Sequence, residues 1–312
     1  MPEPNYTDQI RGHVAGIEAG GTKFICATAK DSADLLNRTR ISTQDPKATY
    51  AAVVAYLQAQ EQRHGALDAI GLASFGPLDV NPNSPTFGRM GNTPKAGWPG
   101  FDMLASLREH FEVPLALQTD VNGSALGESL WGAGRGLDSV LYITIGTGIG
   151  GGALHQGQFL GQLAHSEMGH IRLAREPQDA SFEGICPAHG DCFEGLASGP
   201  AIEARWGQPA EALPSDHPAW ALEGAYIAQA LVNYILILFP QRIILGGGVM
   251  RQPQLWPLVR EQLAAYLGAY IPLRERGIKF EDWLVAPERE GDSGVLGAIA
   301  LAAHQIGSRT HG

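Results

Sequence analysis

Two segments of this chain share one pattern, in which a short apolar run enters a glycine turn and a second apolar run follows. In the first, the run over residues 13–19 enters the turn of residues 20–23. In the second, the run over residues 140–145 enters the glycine-rich stretch of residues 146–152. This pattern predicts a β-hairpin with a glycine turn. Because one such hairpin opens each half of the chain, we expect two related α/β domains that face one another.

The length of 312 residues also favours two domains, since single cores rarely grow this large. The glycine-rich stretch GAGRG at residues 132–136 is the best candidate for a boundary. We therefore predict a first domain over residues 1–133, joined by a C-terminal helix within residues 292–312. A second domain would cover residues 134–291.

Periodicity predicts further elements in both halves. Helices are expected over residues 48–62, 101–111, 219–239, 254–267 and 295–304, and strands over residues 69–74, 115–119 and 241–245. A further helix is expected to start at Asn122 as its N-cap and to run to Trp131. Residues 79–100 are rich in proline, asparagine and glycine, and a long irregular stretch of this kind inside a domain is usually functional.

Charge and composition exclude several classes of protein. The net charge of −10 and the absence of a basic run argue against nucleic-acid binding. The longest apolar run, residues 225–239, contains Gln229 and Asn233 and is interpreted as a buried helix rather than a membrane span. The polar start of the chain is unlike a secretory signal, and three cysteines, an odd number, fit a reducing compartment. We therefore expect a cytoplasmic protein.

Two of the three cysteines lie in a cluster with metal-ligand spacing. Cys186, His189 and Cys192 are three residues apart from one another, and His170 lies upstream. Two thiolates and two imidazoles suit a closed tetrahedral zinc site, which would be structural because no coordination position is left open. The alternatives are a chance cluster or a disulfide between the two cysteines.

The glycine turns partly satisfy the pattern of a nucleotide site. Gly146, Gly148 and Gly151 fit the G-x-G-x-x-G fingerprint of dinucleotide-binding proteins. That fingerprint opens a helix, whereas a glycine-laden stretch typical of a strand follows here, which disfavours a nicotinamide-dependent enzyme. The remaining interpretation is a pair of hairpin turns whose backbone N–H groups bind phosphates, with Thr22 and Thr147 as hydroxyl donors. Tight turns without a ligand are the alternative.

Asp120 stands at the end of a predicted strand, where the sites of α/β domains gather. Phosphoryl transfer to an alcohol needs a carboxylate that accepts the hydroxyl proton. A lone Asp in such a turn is more often an N-cap, but the two phosphate-type turns favour the catalytic interpretation.

Five segments, in this order along the chain, resemble the ROK family of sugar kinases, part of the sugar kinase, heat-shock protein and actin superfamily. They are EAGGTK at 18–23, TDVN at 119–122, IGTGIGGG at 145–152, EMGH at 167–170 and the cysteine cluster at 186–194. The details EAGGTKF, SFGPLD, NTPKAGW and CPAHGDC are most similar to the family's zinc-containing bacterial fructokinases. The resemblance covers residues 14–303 and implies an α/β, two-domain actin-like ATPase fold with the active site in the interdomain cleft.

The resemblance also implies an activity, ATP-dependent phosphorylation of D-fructose at the 6-hydroxyl with Mg²⁺, and Asp120 as its general base. The implied nucleotide contacts are Gly20, Gly21, Thr22, Lys23, Thr147, Gly148, Gly199, Pro200, Gly247 and Gly248. The implied sugar contacts are Gly76, Pro77, Asn92, Thr119, Asp120, Glu167, His170 and Glu194. The implied ligands of a structural zinc ion are His170, Cys186, His189 and Cys192.

Three positions depart from the commonest family pattern. Glu18 stands where many members carry Asp, and His189 replaces a cysteine zinc ligand. Thr119 stands where glucose-type members often carry Asn, which together with NTPKAGW favours fructose over glucose. A glucokinase or mannokinase is the alternative within the family, because such pockets differ by few contacts.

The family also includes sugar-responsive transcription regulators and typically forms homodimers. A regulator is disfavoured because only about a dozen residues precede the first strand, and because Asp120 is present. We expect a homodimer that binds a hexose and ATP and neither nucleic acid nor membrane.

Overall fold

The computed structural model describes residues 6–161, 163–273 and 275–309. The strands, in chain order, are β1 His13–Ala19, β2 Lys23–Lys30, β3 Leu35–Ser42, β4 Ala69–Ser74, β5 Leu115–Thr119, β6 Ser139–Ile145, β7 Ile149–His155, β8 Gln158–Phe159, β9 Arg242–Gly246 and β10 Leu284–Val285. The α-helices are α1 Pro46–His64, α2 Met103–Arg108, α3 Asp120–Trp131, α4 Phe193–Ala197, α5 Gly199–Trp206, α6 Ala219–Leu238, α7 Leu255–Leu267, α8 Phe280–Trp283 and α9 Ser293–Arg309. The chain is thus α/β, as predicted.

The chain divides into two compact units. The first contains the described residues up to Asp138, the described part of Gly152–Ser166 and the described residues from Glu288 onward. The second contains Ser139–Gly151 and the described part of Glu167–Pro287. The chain therefore enters the first unit three times, the second time with the described part of Gly152–Ser166.

The first unit is built on a five-stranded sheet of order β3-β2-β1-β4-β5. The three strands β1, β4 and β5 are parallel, and their register aligns Ala19 with Ser74 and Ser74 with Thr119. The carboxyl ends of these strands therefore lie at one edge of the sheet. The glycine turn that follows β1, the Phe75-Gly76-Pro77 segment that follows β4 and Asp120 after β5 all begin there, which is where α/β proteins assemble their sites.

Helices α3 and α9 pack against each other so closely that only glycine fits at the contact. A Cβ atom added to Gly297 of α9 would lie 1.8 Å from the carbonyl oxygen of Gly123 in α3, and one added to Gly127 would lie 2.2 Å from that of Ser293. The small residues of the last helix, which the sequence shows only as an apolar pattern, thus let it fix α3 and the residues at its N-terminus.

The start of α3 corrects one expectation. Asn122 was predicted as its N-cap, but the helix begins at Asp120 and Thr119 is the cap. The Thr119 hydroxyl accepts a hydrogen bond from the Asn122 backbone N–H at 3.4 Å. A threonine at the strand end can do this three residues before the donor, so the strand passes into the helix without an intervening loop.

Residues 79–100, all of them described, contain turns and isolated bridges but neither a helix nor a strand, as predicted. The segment is nevertheless anchored. Trp98 is completely buried, its indole N–H donates to the Gln44 carbonyl at 2.9 Å, and its ring packs on those of Phe24, Phe75 and Phe101. This long loop is therefore a fixed part of the first unit.

The second unit contains β6 and β9, which pair in parallel, and β10, which extends them in parallel beside β9. These strands belong to a sheet of order β10-β9-β6-β7-β8. By length and composition alone, helix α6 could span a membrane. However, 61% of its most apolar 18-residue segment is buried inside the protein. Core helices of globular proteins pass the same test, and α6 packs on α7.

Candidate functional site

The catalytic candidate Asp120 is the first residue of α3 and is half-buried. One oxygen of its carboxylate accepts a hydrogen bond from the Val121 backbone N–H at 2.9 Å. The N-terminus of a helix carries partial positive charge and stabilises an anionic side chain. Asp120 is therefore held as a positioned carboxylate at the sheet edge that also carries the first glycine turn.

Glu18, near the end of β1, is the second carboxylate at this edge. Burial, and then the nearby Asp120 carboxylate, raise the pKa of Glu18 to about 7. Gly294 of α9 is required beside it, since a Cβ atom there would lie 2.5 Å from the Glu18 carboxyl carbon. A carboxylate whose pKa is raised by burial and by a second carboxylate favours a bound cation, and Mg²⁺ prefers oxygen ligands of this kind.

The turn at Gly20, Gly21, Thr22 and Lys23 has all four of its carbonyl oxygens occupied. Thr43 donates to two of them, with its hydroxyl to Gly20 at 2.8 Å and its N–H to Thr22 at 3.0 Å. The Gly20 N–H donates to the Lys23 carbonyl at 2.9 Å, and the Lys95 ammonium donates to the Gly21 carbonyl. Within the described residues, the N–H groups of Gly21 and Thr22 have no acceptor. Backbone N–H groups displayed in this way suit an anion.

A contact that the sequence did not predict joins Thr119 to His165. The Thr119 hydroxyl lies 3.2 Å from the His165 Nδ1 atom. Burial lowers the pKa of His165 to about 4, so its ring is neutral at physiological pH and Nδ1 can accept the hydroxyl proton. The Thr119 side chain, predicted as a sugar contact, is thus engaged both with His165 and with the cap of α3.

The remaining predicted sugar contacts of the first unit lie close to the same edge of its sheet. The Gly76-Pro77 peptide bond, just after β4, is cis. The Gly91 N–H donates to the Pro77 carbonyl at 2.8 Å, which ties the long loop to this segment. Asn92, the next residue along the loop, is exposed.

In the second unit, Glu194 on α4 contacts the second glycine turn. Its carboxylate accepts a hydrogen bond from the Ile149 N–H at 2.9 Å, and a Cβ atom on Gly148 would lie 2.8 Å from the same oxygen. Glu194, predicted as a sugar contact, is therefore placed directly against a predicted phosphate turn, and Thr147 beside it is exposed.

The predicted adenosine contacts also lie around this turn. The Gly199 N–H, at the start of α5, donates to the Gly146 carbonyl at 2.7 Å. Gly247 has φ +92° and sits so close to β6 that a Cβ atom would lie 2.3 Å from the Ile145 carbonyl oxygen. The structure thus brings the segments of Gly199, Gly247 and Gly146 together, although they are distant in sequence.

The Cys/His cluster has the geometry of a metal site. One ligand atom from each of His170, Cys186, His189 and Cys192 lies within 4.8 Å of all the others. The Cys186 sulfur is 3.7 Å from Nδ1 of both histidines, and the Cys192 sulfur is 3.5 Å from Nδ1 of His170. In a tetrahedral zinc site with bonds of about 2.0–2.3 Å, neighbouring nitrogen and sulfur ligands lie about 3.5 Å apart. The four side chains fit zinc.

Local backbone contacts explain why these residues come together. The Cys186 and Gly190 backbones exchange hydrogen bonds of 3.1 and 2.8 Å, with Gly190 at φ +65°. Both cysteines are buried and free, so they form no disulfide. Burial raises the pKa of the Cys192 thiol to about 11, and a bound metal would displace its proton.

Glu167 lies three residues before His170, at the start of a short 3₁₀ turn. Burial raises the pKa of its carboxyl, an effect that the nearby His170 opposes. His170 directs Nδ1 towards the cysteines, which leaves Nε2 for another partner.

Comparisons with known proteins show the family of this chain. Residues 14–305 match the profile of the ROK family. A protein named putative fructokinase from Bacillus subtilis (strain 168) is 47% identical over 94% of this chain and 95% of its own, and a fructokinase from Pediococcus pentosaceus is 43% identical over 93% and 97%. The crystal structure of a ROK hexokinase from Thermus thermophilus superposes with a TM-score of 0.73 at 24% identity, covering 95% of this chain and 99% of its own. At that identity the superposition shows only that this chain has the same fold as that protein.

Proposed function

This chain belongs to the ROK family, and we propose that it is a fructokinase that transfers the γ-phosphoryl group of ATP to the 6-hydroxyl of D-fructose. The observation that carries the proposal is similarity at 47% and 43% identity, over at least 93% of both chains in each comparison, to relatives named putative fructokinase and fructokinase. The fixed Asp120 carboxylate supports the reaction type.

Asp120 is the proposed general base. It accepts the proton of the sugar 6-hydroxyl as the oxygen attacks the γ-phosphorus, while the bond between the γ-phosphorus and the bridging oxygen of the departing ADP breaks. Little covalent chemistry is asked of the protein, so positioning and charge stabilisation carry the catalysis. The α3 N-terminus, which holds Asp120 through Val121, supplies the positioning.

The phosphates of ATP are proposed to bind the displayed N–H groups of Gly21 and Thr22, and also the turn at Thr147 and Gly148. Gly20 and Lys23 complete the first turn, and the adenosine would lie against Gly199, Pro200, Gly247 and Gly248. Mg²⁺ supplies charge neutralisation when it is bound with ATP, and Glu18, with its raised pKa, is a fitting carboxylate to face it.

The sugar is proposed to contact Gly76, Pro77, Asn92 and Thr119, and also Glu167, His170 and Glu194. Zinc supplies a structural cross-link when it is held by His170, Cys186, His189 and Cys192, which fit it. With Nδ1 of His170 committed to that cluster, its tautomer is fixed with the remaining proton on Nε2. His170 then offers the sugar a donor of defined orientation.

We further infer a cytoplasmic homodimer from the family resemblance. Light scattering coupled to size-exclusion chromatography should give twice the chain mass of 33.2 kDa, and a single-chain mass would refute the dimer.

A coupled assay of ADP release tests the activity. Purified protein with ATP, Mg²⁺ and, in turn, fructose, glucose and mannose should give the highest kcat/KM with fructose. A higher value with glucose or mannose would replace the substrate and keep the kinase. No turnover with any hexose would refute the proposed function.

A further inference from the structure

We propose that Lys95 is a phosphate-binding cation of this kinase. Its ammonium, held beside the first glycine turn, would donate directly to the transferring phosphoryl group. The inference rests on the proposed function and assigns a role to a residue that is not among the predicted site residues. Lys95 is one of only five lysines in the chain, and it lies in the long loop between β4 and α2.

The first observation is the contact itself. The Lys95 ammonium donates a hydrogen bond to the Gly21 carbonyl, across 74 residues of sequence. The same turn displays the N–H groups of Gly21 and Thr22, which within the described residues have no acceptor. A lysine ammonium has three N–H donors, so two remain for an anion. Because the Gly21 carbonyl and the Thr22 N–H belong to one trans peptide and point in opposite directions, Lys95 and the Thr22 N–H would bind different oxygens of the phosphate chain.

The second observation is that the charge of Lys95 is not cancelled by a protein carboxylate. Among the described residues, Lys95 forms no ion pair within 4.0 Å. A carbonyl holds an ammonium in position without neutralising it, whereas a carboxylate partner would remove most of its attraction for a phosphate. A positioned and uncompensated lysine is a common phosphate ligand.

The third observation is that the loop around Lys95 is fixed. The Lys95 N–H lies 3.5 Å from the Thr93 hydroxyl, and its carbonyl accepts the Trp98 N–H at 3.2 Å. Thr93 and Trp98 are both buried. The side chain therefore extends from an anchored tight turn, and it pays little additional ordering entropy when a ligand binds.

The chemistry requires such a group. Negative charge on the transferring phosphoryl oxygens must be neutralised as the bond to ADP breaks, and one well-placed donor at such a centre is worth on the order of 100-fold in rate. ADP lacks the γ-phosphate. A lysine that contacts that group is therefore expected to distinguish ATP from ADP, whereas a lysine that merely braces the loop is not.

The test uses full-length wild type, K95M, K95R and the matched control K47M, which removes an exposed lysine in the first turn of α1. Three quantities are measured: steady-state kinetics with fructose and ATP, the Kd of the β,γ-imido analogue of ATP and of ADP by calorimetry, and the thermal unfolding midpoint.

K95M should lower kcat/KM for ATP on the order of 100-fold, with the KM for fructose within threefold of wild type. The substitution should raise the Kd of the analogue by a factor at least tenfold larger than that for ADP, and it should leave the unfolding midpoint unchanged. K95R should recover a large part of the loss, and K47M should match wild type.

Two results would overturn the proposal. One is a K95M kcat/KM within threefold of wild type. The other is an equal loss of affinity for the analogue and for ADP, together with a lower unfolding midpoint, which would make Lys95 a structural brace only. If wild type phosphorylates no hexose, the proposed function fails by itself, and the difference between analogue and ADP affinities still decides whether Lys95 binds the γ-phosphate.

Discussion

Replacing the buried Glu128 with alanine should destabilise the first unit far more than the same replacement of an exposed glutamate. Glu128 lies in α3 and is completely buried, yet its carboxylate accepts four hydrogen bonds. Three come from the backbone N–H groups of Ala133, Glu288 and Arg289 at 2.8–3.0 Å, and one comes from the Ser293 hydroxyl at 2.6 Å. This one side chain thus ties α3 to the glycine-rich stretch after it and to the start of α9.

The magnitude follows from those donors. Each buried backbone N–H left without an acceptor costs about 1–3 kcal/mol, so three give about 3–9 kcal/mol. Water that enters the vacated space would satisfy some of them, and we therefore expect a loss of at least about 3 kcal/mol. Glu128→Gln should cost less, because one amide oxygen remains, but its NH₂ group would face N–H donors and leave a loss of about 1–3 kcal/mol.

Urea unfolding measures these losses as a shift in midpoint, with the m value checked against that of wild type. Hydrogen exchange of the Ala133 and Arg289 amides should show a matching loss of protection in Glu128→Ala. The control is Glu112→Ala, at an exposed glutamate, which should stay within about 0.5 kcal/mol of wild type. If Glu128→Ala were as stable as that control, the reasoning from unsatisfied donors would be wrong.

Two other predictions concern the metal and the paired carboxylates. Cys192→Ser should lose bound zinc and at least about 3 kcal/mol of stability, because zinc binding to such clusters contributes about 10–16 kcal/mol in peptides. If elemental mass spectrometry found no zinc in purified wild type, the prediction would be contradicted. For Glu18, burial and then the Asp120 carboxylate raise the pKa of the carboxyl in the folded, ligand-free protein from 4.5 to about 7. The folded state therefore binds this proton more tightly than the unfolded state does. The stability that protonated Glu18 contributes is lost as the pH rises from about 4.5 through 7. Relative to Glu18→Gln, wild type should therefore lose up to about 3 kcal/mol between pH 5 and pH 8 in urea unfolding, and parallel curves for the two proteins would refute the shift.

Local patterns predicted most of the fold. Strands β1, β4 and β5 have the predicted bounds because each is a short apolar run that ends at a serine or threonine or just before a glycine. The start of α3 was missed by two residues, because Thr119 serves as both the strand end and the cap. The Cys/His cluster could be found because three of its four ligands are close in sequence, and their spacing carries the signal.

Contacts distant in sequence were beyond such patterns. Lys95 meets Gly21 across 74 residues, and His165 meets Thr119 across 46. A lone lysine in a loop and a single histidine belong to no spaced motif, so the sequence does not predict a partner for either of them. Their positions depend on how the buried Trp98 anchors the long loop and on the return of residues Gly152–Ser166 to the first unit.

The most direct test of the account compares wild type with Asp120→Asn, a change that keeps the size of the side chain and removes the base. With fructose, ATP and Mg²⁺, wild type should form fructose 6-phosphate, identified by phosphorus NMR. Asp120→Asn should lose at least about 10³-fold in kcat, while its Kd for the β,γ-imido analogue of ATP stays within about threefold of wild type. Turnover by Asp120→Asn at a rate close to that of wild type would remove Asp120 from the reaction and contradict the mechanism.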